Sequence, residues 1–175
     1  VLPALPYNFI NMPIYSSESF DIVSRSPEQT RRIGMRLGSL LRPGDLLALT
    51  GDLGAGKTTF VQGIAKGWGS TDTVSSPTFV LVNIYNRPDG GRIHHMDAYR
   101  IQSALEAEDL DLDEMLTSGV LIVEWAERID SALPAERLSI QLSWVADEQR
   151  GMAFIPNGKR YEELARLLKS QLFGG

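Results

Sequence analysis

The sequence predicts an α/β fold, a three-layer sandwich with a mostly parallel central sheet and some antiparallel strands. Three observations carry that prediction. Short apolar or alternating runs take turns with segments of helical period along the chain, the order that builds βαβ units. The run Leu46-Leu47-Ala48-Leu49 is apolar on both faces, as a central parallel strand buried between helix layers must be. A glycine-rich turn follows that run directly and leads into a helical segment.

In chain order, Ser19–Val23 alternates like a half-buried strand, and Ser26-Pro27-Glu28 joins an N-cap residue to a proline suited to the first helical position. The helix that follows carries Ile33, Leu37, Leu40 and Leu41 at helical spacing and is stopped by Arg42-Pro43-Gly44. Asp45–Thr50 is the central strand and Phe60–Gly67 the second helix. Thr78–Tyr85 and Arg92–Met96 flank the turn sequence Asn86-Arg87-Pro88-Asp89-Gly90-Gly91 and read as a hairpin. Ser103–Leu116 reads as one acidic helix, and Val120–Glu124 as a further apolar strand. Leu138–Trp144 and Met152–Ile155 are the last strands, before a closing amphipathic helix with Tyr161, Leu164, Leu167, Leu168 and Leu172.

Length and composition bound the possibilities. The 175 residues suit one domain of roughly 150 residues, and there is no repeat or linker to divide them. Residues 1–17 are expected to be an N-terminal extension, open to disorder, and residues 18–175 a single domain. Within the extension, residues 1–11 read as an upstream addition or a misassigned start before Met12, with a true N-terminal arm as the alternative. The chain has no cysteine, which excludes disulfides and thiolate chemistry and suits a reducing compartment. No apolar run approaches the ~18 residues of a membrane span. Seventeen basic against 22 acidic side chains leave a net charge of −5, the wrong sign for gripping nucleic acid through its phosphates.

The turn after the central strand is Gly51-Asp52-Leu53-Gly54-Ala55-Gly56-Lys57-Thr58, which satisfies G-x-x-x-x-G-K-[ST]. Its glycines let the backbone curl with N–H groups inward, and the helix after it presents a positive N-terminus, so together they form a nest for phosphate oxygens. The fold is accordingly expected to be P-loop NTPase-like. Lys57 is placed to reach the β- and γ-phosphates, the Thr58 hydroxyl to ligate Mg²⁺ and Thr59 to donate to the α-phosphate. A bare glycine turn that binds nothing is the alternative. Further carboxylates must then hold metal and position water, and they are sought at strand ends. Leu121-Ile122-Val123-Glu124 is an apolar strand ending in a carboxylate, the Walker B form, and His95-Met96-Asp97 ends similarly. Either acid could instead only mark where a strand meets water.

In order and spacing, four segments resemble the TsaE (YjeE) family of small bacterial ATPases. They are Gly51–Thr59, Ser76-Pro77-Thr78-Phe79, His95-Met96-Asp97-Ala98-Tyr99-Arg100 and Val123-Glu124-Trp125. The resemblance covers about Ser26 to Arg150. It implies a cytoplasmic, Mg²⁺-dependent ATPase that takes part in the threonylcarbamoyl modification of adenosine in tRNAs reading codons that begin with A. It further implies TsaB and TsaD as partners, with tRNA met only indirectly through the complex. Carried over by residue, Asp52, Leu53, Gly54, Ala55, Gly56, Lys57, Thr58 and Thr59 would hold the nucleotide. Thr58, Asp97 and Glu124 would hold the metal, and Lys57, Asp97 and Glu124 would serve the chemistry. Thr78 is placed like a switch I threonine that senses the γ-phosphate, and a basic residue after the last strands, Arg150, would touch nucleotide.

Some residues keep several readings. Trp125 could be core, a wall of the nucleotide site or a partner contact. His94 and His95 read as hydrogen-bonded structural residues, with His95 on the same strand face as Asp97. Arg100 could meet transition-state charge or pair with a carboxylate. Ala126 stands where relatives often carry proline, and Met96 where an aromatic is frequent. The competing functions are a small P-loop kinase, a GTPase suggested by Asn86-Arg87-Pro88-Asp89, and a nucleotide-dependent binding module with little hydrolysis.

Overall fold

The computed structural model describes residues 16–77 and 82–174. Among the described residues there are seven strands: β1 (Phe20–Ser24), β2 (Leu46–Thr50), β3 (Val82–Asn86), β4 (Arg92–Asp97), β5 (Val120–Glu124), β6 (Arg137–Trp144) and β7 (Arg150–Asn157). All seven lie in one sheet of order β1-β7-β6-β2-β5-β4-β3. The pairings of β6 with β2, β2 with β5 and β5 with β4 are parallel and form the centre of the sheet. Those of β1 with β7, β7 with β6 and β3 with β4 are antiparallel, so both edges of this mixed sheet are antiparallel.

The helices are α1 (Pro27–Leu40), α2 (Lys57–Trp68), α3 (Ala104–Glu108), α4 (Leu112–Ser118) and α5 (Lys159–Phe173), with a 3-10 segment at Ala126–Ala132. Helix α1 starts as its sequence requires, the Ser26 hydroxyl accepting from the Gln29 N–H at 3.1 Å with Pro27 at the first position. It packs on α2 through glycines from both sides. A Cβ on Gly34 would stand 2.5 Å from the Phe60 carbonyl oxygen, and one on Gly38, Gly63 or Gly67 would run into the facing backbone still more closely. Only hydrogen fits there, so the two axes lie unusually near each other. Phe60 of α2 meets Phe154 of β7 edge-on, and Phe154 stacks on Phe20 of β1 at 4.8 Å, which ties this layer to the antiparallel edge.

The acidic helix expected over 103–116 is interrupted. Helices α3 and α4 are separated at Asp109–Asp111, and Asp111 takes φ 45°, a left-handed conformation that aspartate tolerates better than most residues. Helix α2 begins at Lys57, within the glycine-rich turn and one turn earlier than the apolar pattern suggested. Below β2, Asp45 is buried and held by a two-pronged bond from Arg160, at 2.9 Å from Nε and 2.7 Å from Nη2. Tyr161 caps the same strand by accepting the Leu46 N–H at 2.8 Å.

Candidate active site

The loop between β2 and α2 is shaped by two glycines that no other residue can replace without strain. Gly51 has φ +141° and lies so close to the Leu142 carbonyl of β6 that a side chain would collide with it. Gly56, at φ +97°, is the N-cap of α2 and supplies no side-chain acceptor. The first N–H groups of α2 thus face the loop without a side-chain cap, at the positive end of the helix dipole. Lys57 folds back over this nest. Its Nζ donates to the carbonyls of Gly51 and of Asp52, the latter at 2.9 Å, and stands 4.3 Å from the Trp125 ring centre. Burial lowers the Lys57 pKa below the usual lysine value, against the opposing pull of Glu124, Glu127, Asp97 and Asp52.

Two carboxylates come from adjacent strand ends. Asp97 closes β4 and Glu124 closes β5, and they stand opposite each other in the parallel register. The Ala98 N–H donates to the Glu124 carbonyl at 3.0 Å, which keeps the two ends together. Asp97 Oδ1 accepts the Tyr99 N–H at 2.8 Å. Glu124 is 3% exposed, and its Oε1 lies 2.7 Å from Nε2 of His95, itself fully buried. Tyr85 completes this chain, with its hydroxyl 2.8 Å from His95 Nδ1, and burial raises its pKa above the ordinary phenol value.

The loop, Lys57 and the two carboxylates border one cavity of about 610 Å³, within the range of small-molecule sites. Leu53, Gly54, Gly56, Lys57, Thr58, Thr59, Asp97, Glu124 and Arg150 all line it, and so do Trp125, Arg100, Ser76 and Pro77. Asp52 and Ala55 belong to the loop but not to the lining: Asp52 is exposed and offers its carbonyl, while Ala55 is packed in the core. Thr78 lies outside the described residues. Arg150 opens β7 instead of following the last strands, because that strand begins two residues before its apolar run. It donates from Nε to the Gly54 carbonyl at 3.1 Å.

Trp125, left open between three roles, is a wall of the cavity. It is half-buried, holds φ 56°, and has its ring 4.9 Å from that of Tyr99. Arg128 lies over Tyr99 in turn, at 4.9 Å. Sequence reasoning missed Tyr85, whose only signal is its place in an alternating strand, and Glu127, which has none. The oxygen donors on the cavity wall, a threonine hydroxyl and two carboxylates, suit a hard cation such as Mg²⁺. Among the described residues no group of three or more His, Cys, Asp or Glu could hold a metal by itself.

A buried strand, a glycine-rich nest with a lysine folded over it, and paired carboxylates on neighbouring strands place this chain in the phosphate-loop class of α/β proteins. The sequence model of the family described as threonylcarbamoyl adenosine biosynthesis protein TsaE matches residues 24–152. The chain belongs to the TsaE family. It is 46% identical over 145 residues to the tRNA threonylcarbamoyladenosine biosynthesis protein TsaE of Bacillus subtilis, covering 82% of this chain and 89% of that protein. The protein of the same name from Streptomyces coelicolor is 42% identical over 137 residues, covering 75% of this chain and 93% of its own length. The crystal structure of YdiB from Bacillus subtilis superposes with a TM-score of 0.76 at 38% identity, covering 87% of this chain and 95% of that one. Among the described residues no helix is long and apolar enough to cross a membrane.

Proposed function

We propose that this chain is a cytoplasmic, Mg²⁺-dependent ATPase that serves the threonylcarbamoyl modification of adenosine in tRNAs reading codons that begin with A. In this reading it acts with TsaB and TsaD and meets tRNA only through them. The observation that carries the reading is the single cavity in which the phosphate nest and the paired carboxylates Asp97 and Glu124 meet. Family membership supplies the pathway.

The backbone N–H groups of Gly51–Lys57 and the start of α2 would bind the phosphates. Lys57 would exchange its bonds to the Gly51 and Asp52 carbonyls for phosphate oxygens. Thr58, Asp97 and Glu124 would hold Mg²⁺, which when bound neutralises phosphate charge and orients the triphosphate. Glu124, fixed through one oxygen by His95, presents a carboxylate of defined orientation to the cavity, as water positioning needs. Thr78 would sense the γ-phosphate. Trp125 would shield the Lys57 cation from water on one side.

The net charge of −5 leaves the grip on tRNA to the partners. The test is competition of ATP against GTP in binding, followed by ATP turnover of the wild type and of Glu124→Ala. ATP preference, with turnover lost and binding kept in the variant, supports the reading. GTP preference would point to a switch of another class, absence of turnover in the wild type would leave only a binding module, and turnover unchanged in Glu124→Ala would remove that residue from the chemistry.

A further inference from the structure

The site contains a buried polar chain that the phosphate chemistry does not require. Tyr85, His95 and Glu124 come from β3, β4 and β5 and are 3%, 0% and 3% exposed. Their contacts are 2.8 Å from the Tyr85 hydroxyl to His95 Nδ1 and 2.7 Å from His95 Nε2 to Glu124 Oε1. The strands pair so that Asn83 stands opposite His95, and Asp97 opposite Glu124. Side chains alternate along each strand, so Tyr85, His95, Asp97 and Glu124 share one face of the sheet. The neighbouring His94 points to the other face, where its Nε2 lies 2.9 Å from the Ser118 hydroxyl, away from the carboxylates. A fully buried imidazole costs free energy unless both nitrogens are partnered, and here both are.

Donors and acceptors alternate along this chain of contacts. Glu124, as a carboxylate, only accepts, so His95 Nε2 must carry a hydrogen toward it. Nδ1 then meets the Tyr85 hydroxyl on the other side of the ring. The Ser75 carbonyl accepts from the same hydroxyl at 3.1 Å. It has a second donor in Asn83 Nδ2, at 3.2 Å. Tyr85 thus holds the ring, His95 pins one carboxylate oxygen, and the other oxygen of Glu124 is left for the cavity.

We propose that Tyr85 and His95 are positioning residues for Glu124, with His95 donating to it from Nε2. The proposal rests on reading Glu124 as the acidic residue of an ATP site. Its test has two arms so that the two ideas can fail separately.

The first arm is nitrogen NMR of the full chain with ¹⁵N-labelled histidine, which is practical because the chain has only two histidines. A protonated Nε2 is expected for the resonance that disappears in His95→Gln. An unprotonated Nε2 there overturns the proposal, whether or not the protein hydrolyses ATP. The second arm measures ATP affinity and turnover. His95→Leu should lower turnover by about 10- to 100-fold, the usual cost of removing such an outer partner, with ATP affinity kept within about twofold. His95→Gln, whose amide can still donate to Glu124, should recover part of the loss, and Tyr85→Phe should lose less than His95→Leu. Unchanged turnover in His95→Leu, or equal losses of affinity and turnover with no rescue by glutamine, would overturn positioning in favour of a purely structural role. If His95→Leu does not fold, Tyr85→Phe and the wild-type nitrogen spectrum decide. A wild type that binds ATP without hydrolysing it would instead refute the ATPase reading.

Discussion

Replacing Gly34 by alanine sets two known effects against each other, and the structure decides the sign. In an isolated helix alanine is favoured over glycine by about 1 kcal/mol. At this position of α1, however, the new Cβ would stand 2.5 Å from the Phe60 carbonyl oxygen, 3.0 Å from the Ile64 nitrogen and 3.1 Å from the Gly63 Cα. All three are backbone atoms of α2, which cannot rotate aside as a side chain could. To reach the 3.4 Å of ordinary contact the helices must part locally by about 0.9 Å. Overpacking of this kind costs typically 1–3 kcal/mol, and a rigid neighbour puts it in the upper part of that range. After the helix-propensity gain, a net loss of about 1.5 kcal/mol remains, or roughly 3–6 °C in Tm for a chain of this length. Gly38→Ala should lose more, since its neighbour is the Ile64 carbonyl at still closer range. Ser39→Ala, exposed on the same helix, should stay within about 0.5 kcal/mol of the wild type. Urea unfolding with a common m-value measures all three. A Gly34→Ala variant as stable as the wild type, or more so, would refute the close-packed interface.

Three further outcomes follow from named contacts. Arg160→Met leaves the buried Asp45 carboxylate with only the Arg42 N–H and should cost about 3 kcal/mol in urea unfolding, the low end for a broken buried pair because Arg160 is 21% exposed. Burial holds the His94 pKa below its usual value, so the unfolded chain takes up that proton first as pH falls. Stability from this group is complete above about pH 6.5 and is lost as pH drops through the folded pKa, and His94→Gln should flatten that part of the pH profile of unfolding. Lys57→Ala should weaken ATP binding about 10- to 100-fold in calorimetry, the worth of a charge-assisted contact of about 1.5–3 kcal/mol.

What the sequence made legible was local. The phosphate loop is specified by Gly51, Gly56 and Lys57 within one turn of chain, and strands β2 and β5 by runs of apolar residues that could only be buried on both faces. Alternation placed His95 and Asp97 on one face, as observed. The break between α3 and α4 at Asp111 was hidden, because six acidic residues between Glu106 and Glu114 fit a helix pattern equally well. Contacts between distant segments were also hidden. The antiparallel pairing of β1 with β7 joins residues more than a hundred apart, the reach of Arg150 to Gly54 depends on where β7 lies, and Tyr85 meets His95 only once β3 has paired with β4. Trp125 was ambiguous for another reason: a large ring with a polar tip suits both core and wall, and only its left-handed backbone and the nearby Lys57 cation separate them.

The central proposal is that ATP use at this site serves tRNA modification. The most direct measurement is threonylcarbamoyl-adenosine formed on tRNA by TsaB and TsaD, supplied with threonylcarbamoyl-adenylate, with and without this chain and ATP. The account predicts sustained modification only with both present, loss of it with Glu124→Ala, and ATP turnover that rises when TsaB and TsaD are added. Modification that proceeds equally without the chain, or ATP turnover indifferent to both partners, would contradict it.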